Sequence, residues 1–344
     1  MATPDLRLPL LALPMLLFAH GAAAVAYPNL STVGANAQFS AHWYQQCVKV
    51  RNLRPPARDL PARGAGGSCD AAALYYETLA LDAPGDHDWK KVRDCAFRNN
   101  DSGVLMMLYA NGAGVTQNLA LATRYACSIE SSTGEMKNRV ARLARKKPRE
   151  HVDMCADAAT GPAMGYCASV HERSREKARG DQLAALSKDW SAKEQLGLEM
   201  ASKAAHFYAQ HRHDYETDLS APMRKSMQVD ALAAELERFV GDVHDFEKGK
   251  LPQFSEGEFK ALDDKMNEVY QQFMQSQPGP DSYLGTIRKT GVEKTQRAWL
   301  AYRDAMELYG SIRYPSAPSS GLRALLTSRR LRQLTELADA AAGR

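Results

Sequence analysis

Histidine is the most concentrated reactive side chain in this sequence. Residues 206–218, HFYAQHRHDYETD, hold His206, His211 and His213 beside Asp214, Glu216 and Asp218. On a helix, His206 and His213 share a face and His211 points elsewhere, so the run does not aim three ligands at one point. His171-Glu172 lacks the second His at the spacing that a zinc hydrolase helix needs. No GxSxG elbow is present for acyl transfer. GAGG at 64–67 lacks the Lys and the following strand of a phosphate loop. Carboxylates are plentiful, but none stands out as a poised acid or base. No catalytic residue, cofactor or metal site is assigned.

A second set of residues lies toward the C-terminus: Asp263, Asn267 and Tyr270, then Gln296, Trp299, Tyr302, Arg303 and Asp304. Asp263 and Asn267 are four apart, as are Trp299 and Arg303, so each pair shares a helical face. If the two helices are antiparallel neighbours, an Arg303–Asp263 pair forms, with Asn267 or Gln296 completing a polar network. Trp299 and Tyr270 would supply most of the buried area nearby. Such a network either fixes helix register or faces a partner.

These residues must be positioned by helices. Apolar periodicity predicts helices near 39–53, 69–81 and 88–98, a hairpin over 102–127, and a basic helix over 135–149. Further amphipathic helices are expected at 183–217 and 226–247, the latter carrying Leu232, Leu236, Phe239, Val243 and Phe246. Ser255 and Glu258 spell a capping box before a helix that ends at QPGPD, 277–281. Its partner runs from about 282 to 309, and a Leu-rich helix follows PSAPSSG, 315–321. No stretch sustains period-two alternation, so the fold reads all-α: helical hairpins first, then an antiparallel helical bundle.

The N-terminus has the order of a secretory signal. Arg7 precedes the apolar run Leu8–Phe18, then small residues to Ala26. The run is too short to span a bilayer, and no later stretch is apolar enough. A periplasmic or secreted protein is expected, with no transmembrane segment. The six cysteines, Cys47, Cys69, Cys95, Cys127, Cys155 and Cys167, contain no CxxC pair and fit three disulfides of an oxidising compartment. Fifteen pairings satisfy that count. Formal net charge is +4, short of the basic stripe of a nucleic-acid binder. The basic run from Lys137 to Arg149 is a solvated helix face or a patch for an anionic envelope glycan.

Two segments resemble known families. Residues 102–127, through Leu108, Tyr109, Gly112, Gly114, Val115 and Ala122, resemble a Sel1-like repeat, a relative of the tetratricopeptide repeat. Cys155-x11-Cys167, Asp263-x-x-Met266-Asn267-x-x-Tyr270 and Gln296-Arg297-x-Trp299-x-x-Tyr302-Arg303-Asp304 together resemble the LprI-like lysozyme inhibitor family over about 155–309. In this resemblance 172–250 is an insertion and the last helix lies outside. Met266 stands where Leu is usual, no Cys follows the Tyr-Arg-Asp triplet, and the lipid-anchoring Cys of the founding member is missing.

The resemblance implies a helical, non-enzymatic binding protein whose partner is a protein such as lysozyme. It also implies a Cys155–Cys167 bond. With that bond in place, Cys95–Cys127 and Cys47–Cys69 are expected. The organisation read from the chain is a signal peptide at 1–26, a helical domain at 27–150 with the Sel1-like hairpin, a Cys-paired opening and helical middle region at 151–250, and an LprI-like hairpin plus C-terminal helix at 251–344. The alternative function is a Sel1-type scaffold that binds an envelope protein or an anionic glycan. Lysozymes of the common type are basic, so an inhibitor gains from an acidic face. Glu256, Glu258, Asp263, Asp264 and Glu268 are the residues that could form one.

Overall fold

The computed structural model describes residues 26–31, 39–62, 68–276 and 283–342. Most of the expected signal peptide, the GAGG run and the QPGPD turn lie outside the described residues. Within them the chain forms twelve α-helices and one two-strand hairpin, an all-α fold.

The N-terminal half stacks α1 (His42–Val50), α2 (Ala71–Leu79), α3 (Asp86–Arg98), α4 (Ser102–Asn111), α5 (Leu119–Ala126) and α6 (Thr133–Ala144). The centre of this stack is α4, whose residues Gly103 to Ala110 are all buried. A helix apolar on every side belongs in an interior. It stops at Gly112, whose φ of 70° is the left-handed cap that glycine adopts without strain. Asn118 then accepts the Leu121 N–H at 3.0 Å and starts α5. Tyr109 stacks on Tyr125 across the resulting hairpin, with ring centroids 5.8 Å apart.

The long α7 (Gly161–Ser187) packs on α2 and on α9 (Arg224–Glu247). The C-terminal half adds α8 (Ala192–Tyr215), α10 (Glu256–Gln275), α11 (Lys289–Arg313) and α12 (Ser319–Ala341). Strands β1 (Tyr283–Leu284) and β2 (Ile287–Arg288) pair antiparallel just before α11. Helices α8 to α12 share one core around Phe239, Val243, Met266, Trp299, Met306 and Leu334. The sequence-based boundary at 250/251 therefore falls between helices of a common core.

Two elements differ from the sequence reading. The expected helix over 183–217 is broken: α7 ends at Ser187, and Ser191 starts α8 through a capping box with Glu194. The basic helix ends at Ala144, four residues before Pro148, so residues 145–149 form a turn.

The cysteines pair as Cys47–Cys127, Cys69–Cys95 and Cys155–Cys167. The expected Cys95–Cys127 and Cys47–Cys69 bonds are not formed. Cys69 precedes α2 and Cys95 lies near the end of α3, so the α2–α3 hairpin brings them to a Cα separation of 6.1 Å. Helix α1 packs on α5 and α6, which sets Cys47 beside Cys127 at 5.8 Å.

Candidate functional site

The eight motif residues sit on α10 and α11, which run antiparallel. Their backbones are not each other's closest neighbours: α10 packs chiefly on α12, and α11 on α8. Long side chains bridge them instead. Arg303 Nη1 donates to Asp263 Oδ1 at 3.1 Å, and Asn267 Nδ2 donates to Asp263 Oδ2 at 3.2 Å. The Arg303 guanidinium lies 5.1 Å from the Trp299 ring centroid. A planar cation held between a carboxylate and an indole face loses little rotamer freedom.

The set divides by depth. Gln296, Trp299 and Tyr302 are buried. Tyr302 stacks on Tyr208 at 5.7 Å, and burial raises its phenol well above the ordinary value. Asp263, Tyr270 and Arg303 are half-buried, and burial also raises the Tyr270 phenol. Asn267 and Asp304 face solvent, and the Asp304 side chain keeps 68% of its exposure. The outer pair, with the exposed edges of Tyr270 and of the Asp263–Arg303 bridge, is the part of the set available to a partner.

Beneath this layer lies a polar network that the sequence reading did not assemble. Arg330 of α12 donates from Nη1 and Nη2 to Glu216 at 2.8 and 2.7 Å, and both side chains are fully buried. Its Nε donates to Gln296 Oε1 at 2.8 Å, which ties the network to the motif. Arg212 lies 3.3 Å from Glu216 and also pairs with Glu235. Glu235 accepts from Gln333 Nε2 at 2.8 Å, and Tyr208 donates to Gln333 Oε1 at 2.6 Å. Burial raises the Glu216 carboxyl, but Arg330 and Arg212 pull it further the other way, so its pKa falls below the usual glutamate range. One signal was legible: Arg330 sits between Leu326 and Leu334 at four-residue steps, a cation on an apolar stripe.

The histidine run splits as helical spacing requires. His206 is exposed, His211 packs against Phe207 with tilted rings 4.2 Å apart, and His213 Nδ1 meets Asp214 Oδ1 at 2.6 Å. Glu216 of this run serves the buried network. Among the described residues, no group of three or more His, Cys, Asp or Glu is placed to hold a metal.

The candidate acidic face is compensated. Asp264 pairs with Lys260 at 2.7 Å, Glu268 with Lys265 at 2.8 Å, Asp263 with Arg303 at 3.1 Å and Glu256 with Arg323 at 3.2 Å. Glu258 is engaged in the capping box with Ser255, whose N–H and hydroxyl lower its pKa. The α10 surface thus presents alternating charges, not an acidic field.

The family model described as Lysozyme inhibitor LprI matches residues 247–334. The match covers about a quarter of the chain. It begins at the end of α9, spans α10, the β-hairpin and α11, and ends inside α12. Both borders differ from the expected 155–309. The Cys155–Cys167 segment falls outside, and most of the last helix falls inside. The packing accounts for the second change, because α12 is the surface on which α10 rests and the source of Arg330. No curated protein and no solved structure matches the chain.

Proposed function

We propose that this chain is a periplasmic or secreted, non-catalytic binding protein of the lysozyme inhibitor LprI-like type. On this reading, the outer edge of the α10/α11 pair meets a protein partner. The observation that carries the reading is the coincidence of the 247–334 match with a built site: a buried network below, an oriented Arg303–Asp263–Trp299 clamp in the middle, and Asn267 and Asp304 outside. Three disulfides support an oxidising compartment. No helix among the described residues is long and apolar enough to cross a membrane.

The compensated charge on α10 carries a consequence for this reading. Without an uncompensated acidic patch, association with a basic lysozyme gains little from steering, so contacts rather than long-range attraction must supply the affinity. Calorimetric titration of lysozyme into the oxidised protein tests the site. We expect binding that the Asn267→Lys/Asp304→Lys variant weakens at least about tenfold while its melting temperature holds. Equal affinity of that variant would remove the α10/α11 edge from the interface.

A second reading rests on the α4–α5 hairpin, whose Gly112 cap and Asn118 cap suit a Sel1-like unit. In it, the N-terminal half is a scaffold for another envelope protein. Binding of an envelope partner that survives deletion of 255–344 would favour it.

A further inference from the structure

We propose that the turn closing α6 is a binding site for a linear polyanionic glycan, a sugar chain bearing carboxylate or sulfate groups at intervals. The site lies outside the 247–334 match and does not depend on the lysozyme reading.

Apart from Lys137, which is exposed on α6, the fold sorts the basic run of 137–149 into two groups. Arg139 is buried and donates to Ser131 Oγ at 2.7 Å, and Arg142 pairs with Asp157. Arg139 is internal and Arg142 half-buried, and both serve the fold. Arg145, Lys147 and Arg149 are exposed, and Lys146 is half-buried. Two of them reach carbonyl oxygens: Arg145 Nε donates to Ala141 O at 3.3 Å and Lys146 Nζ to Lys147 O at 3.4 Å. Among the described residues, none of the four has a carboxylate partner.

The turn is shaped rather than loose. Glu150 accepts the Lys147 N–H at 2.8 Å, Pro148 fixes its own φ, and Arg149 sits at φ 67°. Five consecutive residues span at most about 18 Å, so the four basic side chains leave the backbone within that length.

Local compensation is too small to account for the cluster. The C-terminus of α6 offers the equivalent of about half a negative charge. Glu150 adds one more, which leaves between two and three positive charges on the turn. That is most of the +4 carried by the whole chain. On α10, by contrast, acids and bases are matched pair by pair. An uncompensated cationic turn attracts a polyanion by Coulomb interaction and counterion release.

A glycan is favoured over a membrane surface because residues 144–151 carry no exposed large apolar side chain to enter a lipid interface.

The test uses the full mature chain and labelled dextran sulfate and polygalacturonate, with uncharged dextran as control. Binding to both anionic chains and not to dextran is expected, and it should weaken steeply with salt. The Arg145→Gln/Lys147→Gln/Arg149→Gln variant is expected to bind at least about tenfold more weakly. The control Lys188→Gln/Lys193→Gln/Arg332→Gln, which removes the same charge from other exposed positions, is expected to stay within about twofold of the parent. Glu150→Gln keeps an acceptor for Lys147 and removes a negative charge, so it is expected to bind more tightly, a gain that a folding defect does not mimic. Equal losses in the two triple variants would reduce the effect to net charge and overturn the site. So would absent binding by the parent, or tighter binding to phosphatidylglycerol vesicles than to the soluble chains.

Discussion

Replacing Glu216 by Gln tests whether the buried network holds the C-terminal bundle. In the parent, both carboxylate oxygens of Glu216 are engaged by Arg330, and Arg212 lies 3.3 Å away. Glu216→Gln leaves the fully buried Arg330 guanidinium with neutral amides only, while Arg212 keeps Glu235. Breaking a buried pair from one side costs about 3–5 kcal/mol. Arg330→Met leaves Arg212 on Glu216 Oε2 but strips the donor from the buried Glu216 Oε1 and from Gln296 Oε1, so it should cost a similar amount. The double variant removes both charges, so it should be less destabilised than the sum, with a coupling of about 2 kcal/mol or more.

For a bundle of about 150 residues, 1 kcal/mol moves Tm by about 2–4 °C, so Glu216→Gln should lower it by roughly 10 °C. Thermal unfolding followed by near-ultraviolet circular dichroism reads the bundle through Trp299 and its tyrosine neighbours. The pH dependence has a defined sign. The Glu216 pKa is lowered in the fold, so its contribution is complete above the ordinary value of about 4.3 and disappears as pH falls through the depressed one. The parent–variant difference should stay constant from about pH 5 to pH 8 and shrink in acid. A Tm within about 2 °C of the parent, or strict additivity in the double variant, would refute the argument.

Other expectations follow from the same reasoning. Glu135 is buried and accepts the N–H groups of Ala159 and Thr160 at 2.9 and 2.8 Å; burial opposes its ionisation, but these bonds bring its pKa down to about 2. Glu135→Gln should cost about 1–3 kcal/mol at pH 7, and in an acid titration its deficit should fade only between about pH 4.3 and about 2. Trp299→Ala should cost about 3–5 kcal/mol in urea unfolding, whereas Asp304→Asn should stay within about 0.5 kcal/mol. A non-reducing peptide map should recover Cys47–Cys127, Cys69–Cys95 and Cys155–Cys167, and a Cys95–Cys127 peptide would contradict the α2–α3 hairpin.

Local signals in the sequence located most helices. The Ser255/Glu258 box starts α10 where it was expected, and Gly112 and Asn118 close and reopen the α4–α5 hairpin. The box at Ser191/Glu194 was missed because the apolar pattern of 183–217 runs across it. Long-range pairing was harder to read. The Asp263–Arg303 contact follows from two i,i+4 spacings and an antiparallel guess, and it forms. Arg330 and Glu216 are 114 residues apart, and nothing local states that α12 carries one to the other. Cys155–Cys167 forms as expected, whereas the other two pairings failed for the same reason, since those partners depend on which helices pack. The acidic face failed through side-chain geometry, because Lys260 and Lys265 fold back along α10 onto Asp264 and Glu268.

Lysozyme turnover on peptidoglycan, titrated with the oxidised protein, is the decisive test of the proposed function. Saturable inhibition is expected that depends little on salt and is lost in Asn267→Lys/Asp304→Lys. Full lysozyme activity at saturating protein, with both chicken-type and goose-type enzymes, would contradict it and leave the 247–334 match as a likeness of sequence alone.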